Sequence, residues 1–105
     1  MAKNFYEDGH TIDFVAAADH QSGDLVALGD LMVVVLSDVK SGEPAVGAPE
    51  GVWTLPKVAG AAVNQGTRLT LKDGVLGTDE TGKPAGIAWA DADSDATTVP
   101  LKLNA

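Results

Sequence analysis

Apolar and polar residues alternate along this chain in short stretches, and glycine-containing turns separate the stretches. One pattern occurs three times before an apolar run: a small polar or amide residue, a glycine and a second polar residue. Its copies are Ser22-Gly23-Asp24, Ser41-Gly42-Glu43 and Gln65-Gly66-Thr67. Glycine tolerates positive φ, and the flanking side chains can hydrogen-bond a reversing backbone, so each copy predicts a turn that leads into a strand. Strands at such regular spacing are typical of a small, single-domain all-β barrel or sandwich.

The same pattern places about eight short strands along the chain. In the first of them, Ile12 and Phe14 share one face. Gly29-Asp30 and Asp73-Gly74 are predicted hairpin turns. The run Leu31–Leu36 is apolar on both faces, which predicts a central strand or one that another subunit covers. The predicted strands are 10–15, 24–28, 31–36, 43–48, 50–55, 67–72, 85–90 and 97–103.

One short helix is expected near residues 57–64, between two of these strands. Pro56 suits the first turn of a helix, and Gly66 suits its end. Gly60 weakens the pattern, so the sequence fits a single helical turn as well as two or three.

Residues 1–9 are expected to form a flexible arm ahead of a single β domain that spans residues 10–105. Polar residues surround an isolated Phe5-Tyr6 pair in this arm, and chain termini are poorly ordered unless something holds them. The aromatic pair either anchors the arm to a partner or folds back onto the surface of its own domain.

Length and composition limit the function. A chain of 105 residues fits one domain. The absence of cysteine excludes disulfides and thiolate chemistry. A formal net charge of −8 repels phosphate backbones, so nucleic-acid binding is not expected. The run Leu31–Leu36 is too short to span a bilayer, and the first residues lack a secretory pattern, so we expect no membrane partner and a cytoplasmic site of synthesis.

Two segments that resemble ligand sites lack residues which those sites need. Residues 77–83 have the spacing of a phosphate-binding loop, but Pro84 stands where a Ser or Thr hydroxyl must bind magnesium. Residues 91–95 open like a calcium loop, but Ala96 replaces its glycine and Lys102 replaces its bidentate glutamate. Neither nucleotide nor calcium binding is therefore expected.

Single residues with reactive side chains also lack partners. His10 and His20 do not make a zinc site, since such sites need three or four converging ligands. Ser22 and Ser41 lack an evident base, and their turns explain them. The residues predict a non-enzymatic protein with no catalytic, cofactor or metal site.

One stretch goes beyond general β patterning, the segment Gly51-Val52-Trp53-Thr54-Leu55-Pro56-Lys57. Other short elements accompany it over nearly the whole chain: Met1-Ala2-Lys3-Asn4, Ser22-Gly23-Asp24, Ser37-Asp38 before Ser41-Gly42-Glu43, Gln65-Gly66-Thr67, Gly86-Ile87-Ala88 and Val99-Pro100-Leu101-Lys102-Leu103. Their joint order and the chain length resemble the capsid cement, or head decoration, proteins of tailed phages. One departure is Val33–Val35, where many members are expected to carry a glycine.

The resemblance implies a structural role on the surface of the virion. Proteins of this kind bind the outside of an expanded icosahedral head and brace its major capsid protein, often as homotrimers. The partners implied are the major capsid protein and further copies of the chain. Trp53 has a second interpretation, since an aromatic residue that alternates in a strand usually belongs to the core. The expected capsid or subunit contacts are Phe5, Tyr6, Trp53, Leu55, Pro56 and Lys57.

Two other interpretations of the sequence remain open. One is a small, non-enzymatic β interaction module of a phage tail or baseplate. The other is an accessory or sugar-binding domain, which the sequence disfavours because only two tryptophans are available to form an aromatic platform.

Overall fold

The computed structural model describes residues 3–4 and 6–105, so the expected contact residue Phe5 lies outside the described part of the chain. The regular structure consists of short β-strands, and the predicted all-β class is confirmed. Nine strands lie in the described residues: β1 (Ile12–Val15), β2 (Leu25–Leu28), β3 (Leu31–Val35), β4 (Pro44–Ala48), β5 (Val52–Pro56), β6 (Arg68–Lys72), β7 (Val75–Gly77), β8 (Lys83–Ala88) and β9 (Thr98–Leu103).

The strands form two open antiparallel sheets. Sheet 1 has the order β1-β4-β3-β2, and sheet 2 has the order β5-β9-β8-β6-β7. Neither order returns to its first strand, so residues 3–4 and 6–105 contain no closed barrel. The hairpins predicted at Gly29-Asp30 and Asp73-Gly74 are confirmed, since these turns join β2 to β3 and β6 to β7. In the second hairpin both turn residues have positive φ, 54° and 81°, which matches the twist of the strands they connect.

The main hydrophobic core lies between the two sheets. Sheet 1 contributes the face of β3 that carries Met32 and Val34, and sheet 2 contributes the inward residues of its strands. In β9 the inward residues Val99, Leu101 and Leu103 are buried, as the alternation of the sequence predicts.

A second, smaller core lies on the opposite face of sheet 1. Val35 packs there with Ala16, Val39 and Ala45, and Phe14 packs against this cluster. Strand β3 therefore has a core on each face and a neighbouring strand on each side. The central position predicted for its apolar run is confirmed.

Two glycines allow the close packing that these cores need. A Cβ atom at Gly47 would lie 2.9 Å from Val33 and 3.2 Å from the Phe14 ring. A Cβ atom at Gly86 would lie 2.0 Å from the carbonyl oxygen of Lys102, and the φ of Gly86 is +158°. Any larger side chain at either position must displace a neighbour.

The helix expected near 57–64 is wrong, because these residues form an irregular loop between β5 and β6. Three backbone amides of the loop donate hydrogen bonds to carbonyls distant in sequence, so they are not available for the i to i−4 bonds of a helix. Pro56 ends β5 and does not open a helical turn. No helix in the described residues is long and apolar enough to cross a membrane. The amide donations are Val58 N to Leu76 O, Gly60 N to Ser94 O and Val63 N to Ala92 O.

The first two predicted turns are confirmed, and they hold each other in a reciprocal arrangement. The Ser22 amide donates to a carboxylate oxygen of Asp38 at 2.8 Å, and the Ser41 amide donates to one of Asp19 at 2.9 Å. The two serine hydroxyls also donate to carbonyls of the opposite segment, at 3.3 Å each. A reciprocal pair of backbone hydrogen bonds lies between the two segments. We call Ser22, Asp38, Ser41 and Asp19 the turn clasp.

The third predicted turn is also confirmed, and a carboxylate holds it in the same way. The Gln65 amide donates to Asp91 at 2.6 Å, and the Gln65 side chain donates to the carbonyl of Trp89 at 3.1 Å. Part of the acidic excess of this chain therefore accepts hydrogen bonds from turn amides.

Asn104 joins the two sheets. Its Oδ1 accepts the amide of Met32 at 2.9 Å, and its Nδ2 donates to the carbonyls of Met32 and Pro49 at 2.8 and 2.6 Å. Asn104 also has a φ of +56°, a left-handed conformation that asparagine tolerates better than most residues. The residue after β9 is thereby fixed to strand β3 of the other sheet.

Candidate interaction surfaces

The segment before β1 presents an aromatic side chain to solvent. Tyr6 is 92% exposed. The segment is held at its far end by His10, whose amide donates to a carboxylate oxygen of Asp8 at 3.0 Å and whose Nδ1 hydrogen-bonds a carboxylate oxygen of Glu50. The hydrogen bond to Glu50, then the negative charges of Glu50 and Asp8, raise the pKa of His10. This pair places the end of the segment beside the residue that precedes the 51–57 motif.

The 51–57 motif forms β5, an edge strand of sheet 2. Its side chains alternate, so Trp53 and Leu55 lie on the core side, where Trp53 is partly buried and Leu55 is buried. Trp53 Nε1 donates to the carbonyl of Glu50 at 3.0 Å. Pro56 lies on the exposed side with Val52. Of the six residues expected to make contacts, the described surface thus offers mainly Tyr6 and Pro56.

Lys57, the last residue of the motif, is only 4% exposed. Its ammonium group donates to the carbonyls of Val58 and Ala61 at 2.9 and 2.7 Å. These bonds close the loop that follows β5, so the described geometry gives this lysine a structural task inside its own chain.

The outer face of sheet 2 carries an exposed tryptophan that the sequence does not predict to be a surface residue. Trp89 follows β8 and is 53% exposed. Its neighbours on this face are Pro100, Ile87 and Val52, and the ammonium of Lys102 lies 6.0 Å from the centre of the Trp89 ring. We call these five residues the Trp89 face. Alternation in the sequence places Trp89 on the face opposite Ala88, but it does not indicate which of the two faces is buried.

A second exposed apolar surface lies on sheet 1. Val15 is 68% exposed, and Leu36 and Val46 are also exposed. We call these three residues the Val15 patch. They lie on the face of sheet 1 that carries Val34. Val46 and Ala48 are two residues apart on β4 and therefore share a face, and Ala48 pairs with Val34. The core face of sheet 1 therefore continues beyond the area that sheet 2 covers.

The two surfaces differ in charge. The strands of sheet 1 contain one acidic residue, Asp13, and no basic residue. The five strands of sheet 2 contain no Asp or Glu and carry four basic residues, Arg68, Lys72, Lys83 and Lys102. Asp13 lies on the same side of sheet 1 as the Val15 patch, because it pairs with Val46. The Val15 patch thus adjoins a carboxylate, and the Trp89 face contains the ammonium group of Lys102.

One of the two loops that resemble ligand sites is closed by its own hydrogen bonds. In the 77–83 loop, the carboxylate of Asp79 accepts bonds from the hydroxyl and amide of Thr81 and from Lys72 Nζ, at 2.7 to 2.9 Å. The bond from the Thr81 hydroxyl, followed by Lys72, holds the pKa of Asp79 well below its ordinary value. Described residues include no group of three or more His, Asp or Glu side chains that could hold a metal ion.

Comparison with known families gives a match over nearly the whole chain. The model of the family described as phage cement protein matches residues 6–103. No curated protein and no solved structure matches the chain. The family resemblance carried by the 51–57 motif and its companions is thereby confirmed.

Proposed function

Because this chain belongs to the phage cement protein family, which has a structural role on the phage capsid, we propose that it binds the outer surface of an expanded head and stabilises it as a homotrimer. Its partners in this proposal are the major capsid protein and two further copies of itself, and it acts without catalysis, cofactor, nucleic acid or membrane. It is made in the host cytoplasm and ends on the virion.

The family match over residues 6–103 is the observation that carries this proposal. The described fold suits the role, since two sheets share one core and Asn104 links them. Such a body can transmit load between capsid subunits without deforming, because packed protein interiors have low compressibility. Three contacts from one trimer would also hold the shell far more strongly than one contact alone.

Residues 1–9 are the arm of this proposal, and residues 10–105 are its single β domain. An extended arm can add a strand to an exposed sheet edge of the capsid, with backbone hydrogen bonds for affinity and pockets for Phe5 and Tyr6. The nearly full exposure of Tyr6 supports this role, because a tyrosine left in water offers a large apolar area to a partner. The 51–57 motif contributes through Pro56 and through the position of β5 at the edge of sheet 2, while Trp53, Leu55 and Lys57 hold that strand in place.

Deletion of residues 2–9 tests the arm. Binding to empty expanded heads is measured by co-sedimentation at a protein concentration below saturation, and occupancy is expected to fall about tenfold. The comparison requires that the deletion variant unfold at the same midpoint as the full chain, and circular dichroism measures both midpoints. Undiminished occupancy by a folded variant would remove the arm from the interface.

The same sedimentation assay separates the proposal from its main alternative. Binding of the full chain near the number of capsid subunits supports the cement role. A folded chain that does not sediment with heads favours a non-enzymatic interaction module of a tail or baseplate.

A further inference from the structure

Two exposed apolar surfaces of this chain are unlike each other in charge and lie on different sheets. The Val15 patch adjoins Asp13, the one charged residue in the strands of sheet 1. The Trp89 face carries Lys102 on a sheet whose strands have no carboxylate. We propose that these two surfaces bind each other between copies, so that the Val15 patch of one chain docks on the Trp89 face of the next.

The apolar content of both surfaces supports a contact. The Val15 patch continues the core face of sheet 1 beyond the cover of sheet 2, so its valines and leucine have the residue types of a buried strand but remain in water. Burying such side chains stabilises an association, since apolar area leaves water. Tryptophan is among the residues that contribute most to protein interfaces, and Trp89 is exposed just beyond the end of β8, beside Pro100 and Lys102.

Charge decides which surfaces meet. Two copies of the Val15 patch would bring their Asp13 carboxylates together, and two copies of the Trp89 face would bring their Lys102 ammonium groups together. The unlike pairing places Asp13 opposite Lys102 instead. Complementary charge of this kind selects partners and fixes their register.

A contact between unlike surfaces leaves one surface of each kind free at the ends of any incomplete assembly. Such an assembly continues until it closes into a ring or extends as a filament. The proposed contact rests on the proposed function only for the number of chains, because a trimer is the ring size which that function assumes.

The solution mass of single variants tests the contact. Val46→Asp and Trp89→Asp introduce a charge into one surface each, and both positions are exposed, so the fold is expected to remain intact. The wild type is expected at about 32 kDa for three chains of 10.7 kDa, and each variant at the mass of one chain. Val58→Asp is the matched control, since Val58 is a similarly exposed valine outside both surfaces, and it should keep the wild-type mass.

Mixing the two variants is the sharper experiment. An equal mixture of Val46→Asp and Trp89→Asp chains retains one intact pair of surfaces, so it should form a two-chain species of about 21 kDa. A mixture that stays at the mass of one chain overturns the proposal, as does a wild type that is monomeric at every concentration or a Val46→Asp variant that keeps the wild-type mass. A charge exchange, Asp13→Lys with Lys102→Asp, should restore assembly that either change alone weakens.

The results for assembly and for head binding can be told apart. A wild-type mass of two chains with rescue in the mixture supports the contact and contradicts the trimer. Variants that lose sedimentation with heads but keep the wild-type mass assign these surfaces to the capsid and overturn the contact between copies. Variants that lose mass while the full chain binds heads support the contact and leave the capsid role standing.

Discussion

Lys57 is a buried cation, and its ammonium group donates to two backbone carbonyls. Its position at the end of β5 lets the ammonium group hold the first carbonyls of the following loop, where a helix was expected. A buried polar group is tolerated when it is hydrogen-bonded. Here the same two bonds provide partners for the ammonium group and for two carbonyls of the loop.

Replacing Lys57 with methionine is expected to lower the free energy of unfolding by about 1–2 kcal/mol, because two partly buried carbonyls lose their donor while the aliphatic stem is kept. Urea unfolding measured by tryptophan fluorescence gives this value. Lys40→Met, at an exposed lysine, is the matched control and should change stability by less than about 0.5 kcal/mol. A Lys57→Met variant as stable as that control would show that water replaces the amine without cost.

His10 makes the attachment of the first segment dependent on pH. Its folded-state pKa is raised, so the stabilising pair with Glu50 is complete below the ordinary pKa of histidine and is lost as pH rises through the folded pKa. A proton NMR titration of the His10 ring should therefore show a raised pKa. The Glu50→Gln substitution should lower this pKa, although the charge of Asp8 still raises it slightly. Equal titration curves in the two proteins would show that Glu50 does not hold His10 in solution.

At the scale of elements, the sequence predicts what alternation and local turns decide. Strands β1, β6 and β9 follow from the side-chain period, and the turn at Gly29-Asp30 follows from turn chemistry, because both depend on neighbours in sequence. The loop after Pro56 does not, because its amides find Leu76 and Ser94 through tertiary contacts. A helical spacing of small residues cannot compete once those contacts supply the hydrogen bonds.

The contribution of the turn clasp to stability cannot be predicted from the sequence pattern, because each carboxylate accepts a hydrogen bond from the amide of the other turn. Asp19→Ala and Asp38→Ala should each lower the free energy of unfolding by about 0.5–1.5 kcal/mol, because each removes the carboxylate that orders the opposite turn and leaves an exposed serine amide to water. The double variant should lose less than the sum, since the first loss already loosens the partner turn. Urea unfolding of the three variants measures this coupling, with Asp30→Ala at the exposed β2–β3 turn as control. Strict additivity would contradict a reciprocal unit.

At the scale of the whole molecule, the features that matter for assembly and rigidity come from residues far apart in sequence. The exposure of Trp89 depends on how β8 lies beside β9, and the Val15 patch depends on where the cover of sheet 2 stops. Asn104 shows the same limit, since nothing near it in sequence indicates that its side chain will meet Met32 in another sheet. Local patterns carry no information on such pairings, so the sequence predicts the parts of the candidate site better than their arrangement.

Asn104 links the two sheets through its side-chain hydrogen bonds, and it also adopts a left-handed backbone conformation. Two substitutions separate these two contributions to stability. Asn104→Gly removes the three side-chain hydrogen bonds but accepts the left-handed backbone, so it should lower the free energy of unfolding by about 2–3 kcal/mol. Asn104→Ala removes the same bonds and also strains a φ of +56°, so it should cost about 1 kcal/mol more.

Hydrogen exchange of the β3 amides reports on sheet 1, and tryptophan fluorescence reports on sheet 2, which contains Trp53 and adjoins Trp89. In the wild type both probes should give one unfolding free energy, since the sheets share a core. In Asn104→Gly the β3 amides should lose more protection than the fluorescence midpoint loses stability, because the link from Asn104 to Met32 is broken while the strands of sheet 2 keep their own ladders. Equal losses at both probes would mean that the shared core, and not Asn104, couples the sheets. A cement protein needs that coupling, because a load applied to one sheet reaches the other only through the joints between them.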